Sequence, residues 1–193
     1  MIQRIDNFPE NLVEKIEDLC FSPIPRWDFK RTTISPEQID EVCSALNCSP
    51  NKFGEYDIAE KYWYQSAVVH GEYNVDYMVN EIRPLIDYIA YEVIQKPFDV
   101  MRLKFNMYLY SSTNAISMPH FDSLEENFVS LLYYVNDSSG DTYFFDNDKN
   151  LIDRVSPKRG TAVLFDSNIV HAGSYPKEET EPRVVMSAVF RYL

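Results

Sequence analysis

The sequence predicts an α+β fold, with a jelly-roll barrel (a double-stranded β-helix) in the C-terminal half buttressed by N-terminal helices. Two observations carry this. Apolar residues recur at three- and four-residue steps through Ile94, then at two-residue steps from Phe98 onward. Turn-forming clusters then cut the second half into short strands at a spacing of about 8–12 residues, the rhythm of a sandwich or barrel. No repeat or flexible linker separates the halves. One domain over 1–193 is expected, with 1–97 as mainly helical or irregular support and 98–193 as the jelly-roll core.

The elements come in order along the chain. Leu12, Val13, Ile16 and Leu19 fall at helical spacing within Asn11–Cys20. Ser35-Pro36-Glu37-Gln38 reads as a helix start, with Ser as N-cap and Pro in the first turn, and the helix should run to Leu46 or Asn47. Tyr56–Val69 lacks a clear period and is expected to be irregular, with a short strand near Ala67–His70. Tyr73–Ile94 carries the longest helical stripe, which Pro84 should kink or split. From Phe98 the period becomes two. Met101, Leu103, Phe105, Met107 and Leu109 alternate with Arg102, Lys104, Asn106, Tyr108 and Tyr110. The apolar set should pack on the helices and the polar set should face a cavity. Further strands are expected at 128–135, 142–145, 151–155, 161–165, 169–173 and 184–193.

Composition narrows the function. The chain has 193 residues and a formal net charge of −12, which repels phosphate backbones and argues against broad nucleic-acid binding. It has no apolar run long enough to span a bilayer and no signal-peptide core, so a cytoplasmic, membrane-free protein is expected. Cys20, Cys43 and Cys48 lack zinc spacing and read as reduced thiols. His70 stands alone, without a ligand-type neighbour, and reads as structural.

Met118-Pro119-His120-Phe121-Asp122-Ser123 stands apart. In extended backbone, residues i and i+2 point the same way, so His120 and Asp122 can reach one metal ion from one strand edge. An imidazole and a carboxylate are two of the three ligands of the facial triad of non-haem Fe(II) oxygenases. His171 is the candidate third ligand, with the small neighbours Ala172 and Gly173 leaving it room. Arg183 opens the last strand and shares a face with Val185, Ser187 and Val189. A guanidinium entering a barrel needs an anion, and a dicarboxylate cosubstrate would meet it in bidentate fashion.

His120-x-Asp122, His171 and Arg183, in that order and spacing, resemble the Fe(II)- and 2-oxoglutarate-dependent dioxygenases, and within them the prolyl 4-hydroxylase branch. The resemblance covers roughly residues 100–193. It implies Fe(2+) held by His120, Asp122 and His171, with 2-oxoglutarate as cosubstrate, its far carboxylate on Arg183, and ascorbate as an optional addition. The phrase Leu132-Tyr133-Tyr134-Val135-Asn136 resembles a strand of the oxygen-sensing hydroxylases, which implies that Tyr134 contacts the cosubstrate and that Tyr110 lines its pocket. Tyr108 shares the parity of Tyr110 and stays an alternative. Val185 stands where the wider family often has Ser or Thr, and Ser187 comes next on the same face as a further cosubstrate contact.

The implied reaction hydroxylates a C–H bond with O2, on a peptidyl proline, a free amino acid or another small molecule. Ser111–Pro119 is the expected lid. Should the activity be absent, the alternative is a non-catalytic jelly-roll binding or scaffold module. Composition leaves oligomeric state open.

Overall fold

The computed structural model describes residues 1–23, 27–30, 62–69, 72–73, 76–111 and 116–193. The expected helix from Ser35, the cysteines at 43 and 48, and His70 lie outside the described residues. In chain order the elements are β1 (Ile2–Ile5), α1 (Glu10–Phe21), β2 (Asp28–Lys30), β3 (Tyr62–Val69), β4 (Glu72–Tyr73) and α2 (Asp76–Tyr88). The barrel strands come after them: β5 (Phe98–Tyr108), β6 (Phe128–Tyr134), β7 (Thr142–Phe145), β8 (Leu151–Val155), β9 (Thr161–Asp166), β10 (Val170–Gly173) and β11 (Arg183–Tyr192).

Among the described residues, two antiparallel sheets form. The larger runs β1-β9-β6-β11-β5-β3-β2, with β4 paired to β3. The smaller runs β10-β7-β8. Its free β10 edge is extended by two bridges, Ile116 to Ser174 and His120 to His171. The 116–120 segment therefore acts as a fourth strand. The interleaved order, β5-β11-β6-β9 facing (116–120)-β10-β7-β8, is the jelly roll that the strand spacing predicts.

Among the described residues, the first half contributes strands to the large sheet as well as helices. In the stretch expected to be mainly irregular, the described part, Tyr62–Val69, is the eight-residue strand β3, hydrogen-bonded along β5. β1 likewise pairs with β9. Pairing partners far away in sequence stabilise these strands, and the local pattern announces only the short end of β3 near Ala67. Pro84 does not split α2, which runs unbroken to Tyr88. The change comes later, where Ile89–Ile94 widens into a π-helical turn that Gln95 closes in the left-handed region at φ 54°.

Period two in the large sheet produces two faces. On the outer one, Leu103, Phe105, Leu131, Tyr133, Leu164, Met186 and Phe190 join Val13 and Ile16 of α1 and Ile82, Leu85 and Ile89 of the second helical segment in one core. Burying each of these large side chains contributes roughly 1.5–3 kcal/mol. On the inner face, Tyr108, Leu132, Tyr134, Val163, Phe165 and Val185 pack with Phe144 and Val155 of the small sheet. This second core is smaller and lies between the sheets, beside the polar residues of β5 and β11.

Candidate metal centre and cosubstrate pocket

His120 and His171 are joined by their backbones before any metal is considered. His120 N–H donates to the His171 carbonyl at 2.9 Å, and His171 N–H donates to the His120 carbonyl at 2.8 Å. This reciprocal pair closes the sheet edge and brings the two rings to a centroid distance of 4.5 Å. One ligand atom each from His120, Asp122 and His171 lie within 4.8 Å of one another.

Each ring is oriented by its own strand. His120 Nδ1 lies 3.1 Å from the Met118 carbonyl, and His171 Nδ1 lies 3.0 Å from the Ile169 carbonyl. A carbonyl only accepts, so Nδ1 carries the proton in both rings and Nε2 keeps its lone pair. Burial, followed by the neighbouring His171, holds the His120 pKa down to about 3. Burial also lowers His171. Both rings are therefore neutral ligands at neutral pH. Phe144 and Phe165 wall the His171 ring at centroid distances of 6.2 and 4.8 Å.

Asp122 is fixed from several sides. Its backbone N–H donates to the Ser167 carbonyl at 2.9 Å. Ser130 Oγ donates to Asp122 Oδ2 at 2.6 Å, and Ser167 Oγ supports Ser130 at 2.8 Å. Arg102 pairs with Asp122 Oδ1. Burial pushes this carboxyl up, but Arg102, both histidines and Ser130 outweigh it and hold its pKa well below the usual range. Three uncharged or anionic N and O donors, with their outer partners in place, fit a divalent iron ion.

Arg183 enters from β11 opposite Tyr108 of β5 and is only 3% exposed. Its Nη2 donates to Thr142 Oγ1 at 2.8 Å, and its guanidinium carbon sits 5.3 Å from the Tyr108 ring centroid. Its Nε is buried without a partner, which leaves a charged donor for a carboxylate. Two glycines clear its path. A Cβ on Gly173 would lie 2.9 Å from Arg183 Nη1, and one on Gly140 would lie 2.9 Å from Arg183 Cδ. These are observed features that 2-oxoglutarate fits: a buried guanidinium with an orphaned N–H, beside a candidate metal site.

The other candidates divide. Ser187 lines the pocket, between Lys104 of β5 and Leu132 of β6 in register. Tyr134 is fully buried behind the wall, and its hydroxyl donates to Thr142 Oγ1 at 2.9 Å. Thr142 thus accepts from Tyr134 and Arg183, leaving its own proton to donate. Tyr110 lies two residues beyond the end of β5, is 39% exposed and is not brought to the pocket. Tyr108 occupies the wall instead. The cause is strand length: β5 ends at Tyr108, and alternation no longer governs the residues beyond it. Arg191, the other arginine of β11, pairs with Asp99 at 2.5 Å and does not line the pocket. The pocket also holds Thr142, Gly173, Ser117 and Asn106, none of which the sequence reading singles out as site residues. For Asn106, the alternation of β5 is a usable signal.

Residues 103–191 match the model of the 2OG-Fe(II) oxygenase superfamily. No curated protein matches the chain. Among solved structures, an oxidoreductase of the 2OG-Fe(II) oxygenase family from Burkholderia pseudomallei is 9% identical, covering 93% of this chain and 90% of its own, with a TM-score of 0.54. The non-haem α-ketoglutarate-dependent epimerase SnoN from nogalamycin biosynthesis is 13% identical, covering 95% of this chain and 84% of its own, with a TM-score of 0.53. A Pseudomonas putida prolyl-4-hydroxylase is 18% identical, covering 94% of this chain and 99% of its own, with a TM-score of 0.45. For the Burkholderia oxidoreductase and SnoN, at such identities, the likeness is one of fold alone. Among the described residues, no helix is long and apolar enough to cross a membrane.

Proposed function

Residues 103–191 being a 2OG-Fe(II) oxygenase domain and the protein a 2-oxoglutarate-dependent iron oxygenase, we propose that it hydroxylates a C–H bond of a peptidyl or free amino-acid substrate, in the manner of prolyl 4-hydroxylases. The observation that carries the reading is the meeting of His120, Asp122 and His171 beside the buried, under-bonded Arg183. The prolyl part rests on the phrase Leu132–Asn136 and on Tyr134 behind Thr142.

Bound iron and 2-oxoglutarate supply the oxygen-activating chemistry, which splits the cosubstrate into succinate and CO2 and leaves one oxygen atom for the substrate. The chain does the rest. His120 and His171 offer Nε2, and Asp122 offers a carboxylate oxygen. Arg183 holds the far carboxylate of the cosubstrate, with the Thr142 hydroxyl donating beside it. Burial raises the Tyr134 pKa, so its hydroxyl stays protonated and keeps Thr142 oriented. Phe121, Phe144 and Phe165 keep water from the metal side.

The test is succinate formation from 2-oxoglutarate by protein reconstituted with Fe(II), together with a mass search for oxygen addition to proline-containing peptides and free amino acids. Loss of succinate formation in His120→Ala and Asp122→Ala is expected. Activity that survives either change would sink the iron assignment. Oxygen added only to molecules of another class would remove the amino-acid reading and leave the oxygenase.

A further inference from the structure

The two oxygens of Asp122 meet different chemistry. Oδ1 pairs with the Arg102 guanidinium. Oδ2 accepts from Ser130 Oγ at 2.6 Å. Oδ2 is also the oxygen turned toward the other ligands, 3.8 Å from His171 Nε2. Both partners come from one row of the large sheet. In register, Val189 of β11 has Arg102 of β5 on one side and Ser130 of β6 on the other. Neighbouring strands lie about 4.8 Å apart, so the row sets a cation and a hydroxyl on strands roughly 10 Å apart. The Asp122 carboxylate is gripped between them.

Behind Ser130 stands Ser167, and both are buried. A serine hydroxyl has a single proton to give. Ser130 gives its proton to Asp122, because a carboxylate only accepts. Ser167 Oγ therefore donates to Ser130 across their 2.8 Å contact. The Ser167 carbonyl also accepts from the Asp122 and Ser123 N–H groups at 2.9 and 3.2 Å. Ser167, in the turn between β9 and β10, thus holds the backbone of Asp122 directly and its side chain through Ser130. A cation bound here has to choose between the two oxygens. At Oδ1 it would meet the guanidinium charge at close range. Oδ2 carries only a neutral hydroxyl and keeps a lone pair free.

We propose that Ser167, Ser130 and Arg102 are positioning residues that give the two oxygens of Asp122 separate tasks: the Ser167–Ser130 relay aims Oδ2 at the metal, and Arg102 withholds Oδ1 from it. Asp122 then binds through one oxygen, and the remaining positions on the metal are left to the cosubstrates. This rests on the oxygenase reading and deepens it. The relay acts on metal affinity, whereas Arg102 acts on how many positions stay open.

Mn(II) is titrated into the metal-free protein without oxygen. The readouts are metal affinity, the number of metal-bound waters from solvent-proton relaxation, and the 2-oxoglutarate affinity of the loaded protein. Wild type should hold Mn(II) with about three waters, the number that three protein atoms leave on an octahedral ion. Ser130→Ala should weaken Mn(II) binding by about 10–100-fold, and Ser167→Ala should weaken it by less. Arg102→Met should behave differently. With Oδ1 released, the carboxylate takes the metal with both oxygens and displaces a bound water. Its 2-oxoglutarate affinity should fall by about tenfold while Mn(II) affinity does not fall, and Arg102→Lys should restore the lost water. A packing role alone would not change the water count. Unchanged Mn(II) affinity in the serine variants, or a wild-type water count in Arg102→Met, overturns the proposal while the oxygenase reading stands. A wild type that binds no Mn(II) overturns both. Melting of the metal-free proteins identifies the folded variants. Ser167→Ala decides the relay if Ser130→Ala does not fold, and Arg102→Gln replaces Arg102→Met on the same ground.

Discussion

Strand β5 carries two chemistries back to back. Leu103 and Phe105 point outward into the core shared with α1 and the helix near Leu85, and both are 1% exposed or less. Arg102, Lys104, Asn106 and Tyr108, the residues between and beside them, point inward and line the pocket. The backbone hydrogen bonds are shared, yet one face contributes stability and the other binding. A one-residue slip in register would exchange the two, so the apolar face also fixes which polar residues reach the metal.

Four tests would break or sharpen that contrast. The largest effect belongs to the inner face: Asp122→Ala should lower Fe(II) affinity and succinate formation by more than about 100-fold, the upper range seen for removing mere outer-shell partners. Fe(II) binding and turnover are measured on the folded variant. The outer face answers next. Phe105→Ala should cost about 3–5 kcal/mol of unfolding free energy by denaturant titration, with the 2-oxoglutarate requirement of the folded fraction unchanged. A shifted requirement would mean that the two faces are not independent.

A smaller effect tests the clearance around Arg183. Arg183→Ala should raise the apparent 2-oxoglutarate requirement by about 100-fold, and Gly173→Ala, whose Cβ would lie 2.9 Å from Arg183 Nη1, by about tenfold. Equal requirements in wild type and Arg183→Ala would move the anchor elsewhere.

The smallest is an acid limb in the metal-free protein. His120 is held at about 3 against an ordinary 6.5, so the folded chain refuses a proton that the unfolded chain takes up. That contribution is complete above pH 6.5 and drains as pH falls toward about 3. Asp122, also lowered, adds to the loss below about 3.8. The melting temperature should drop by about 5 °C or more across this window, and His120→Asn should flatten the limb.

Particular residues show how far the sequence can be read. The spacing of His120 and Asp122 is local, and so is the alternation of β5. Both survive into the fold because strand geometry alone sets them. Tyr110 misses the pocket for a local reason as well: its parity is right, but the strand stops two residues earlier. Thr142 carries no signal, and Gly173 signals only room beside His171, because each meets Arg183 from 41 and 10 positions away in the chain. Most of β3 is hidden for the same reason, since its stabilising partner β5 lies far along the sequence.

The sequence by itself determined the jelly-roll rhythm, the iron-type donor set and the polarity of each face, because periods of two and of three to four residues act over a few neighbours. Only the tertiary structure decided that His120 and His171 clasp each other's backbones, that Ser130 and Arg102 share Asp122, and that Arg183 passes between two glycines to Thr142. These contacts join residues that lie 8 to 51 positions apart in the chain. They exist only once the sheets have closed, and no local pattern encodes them.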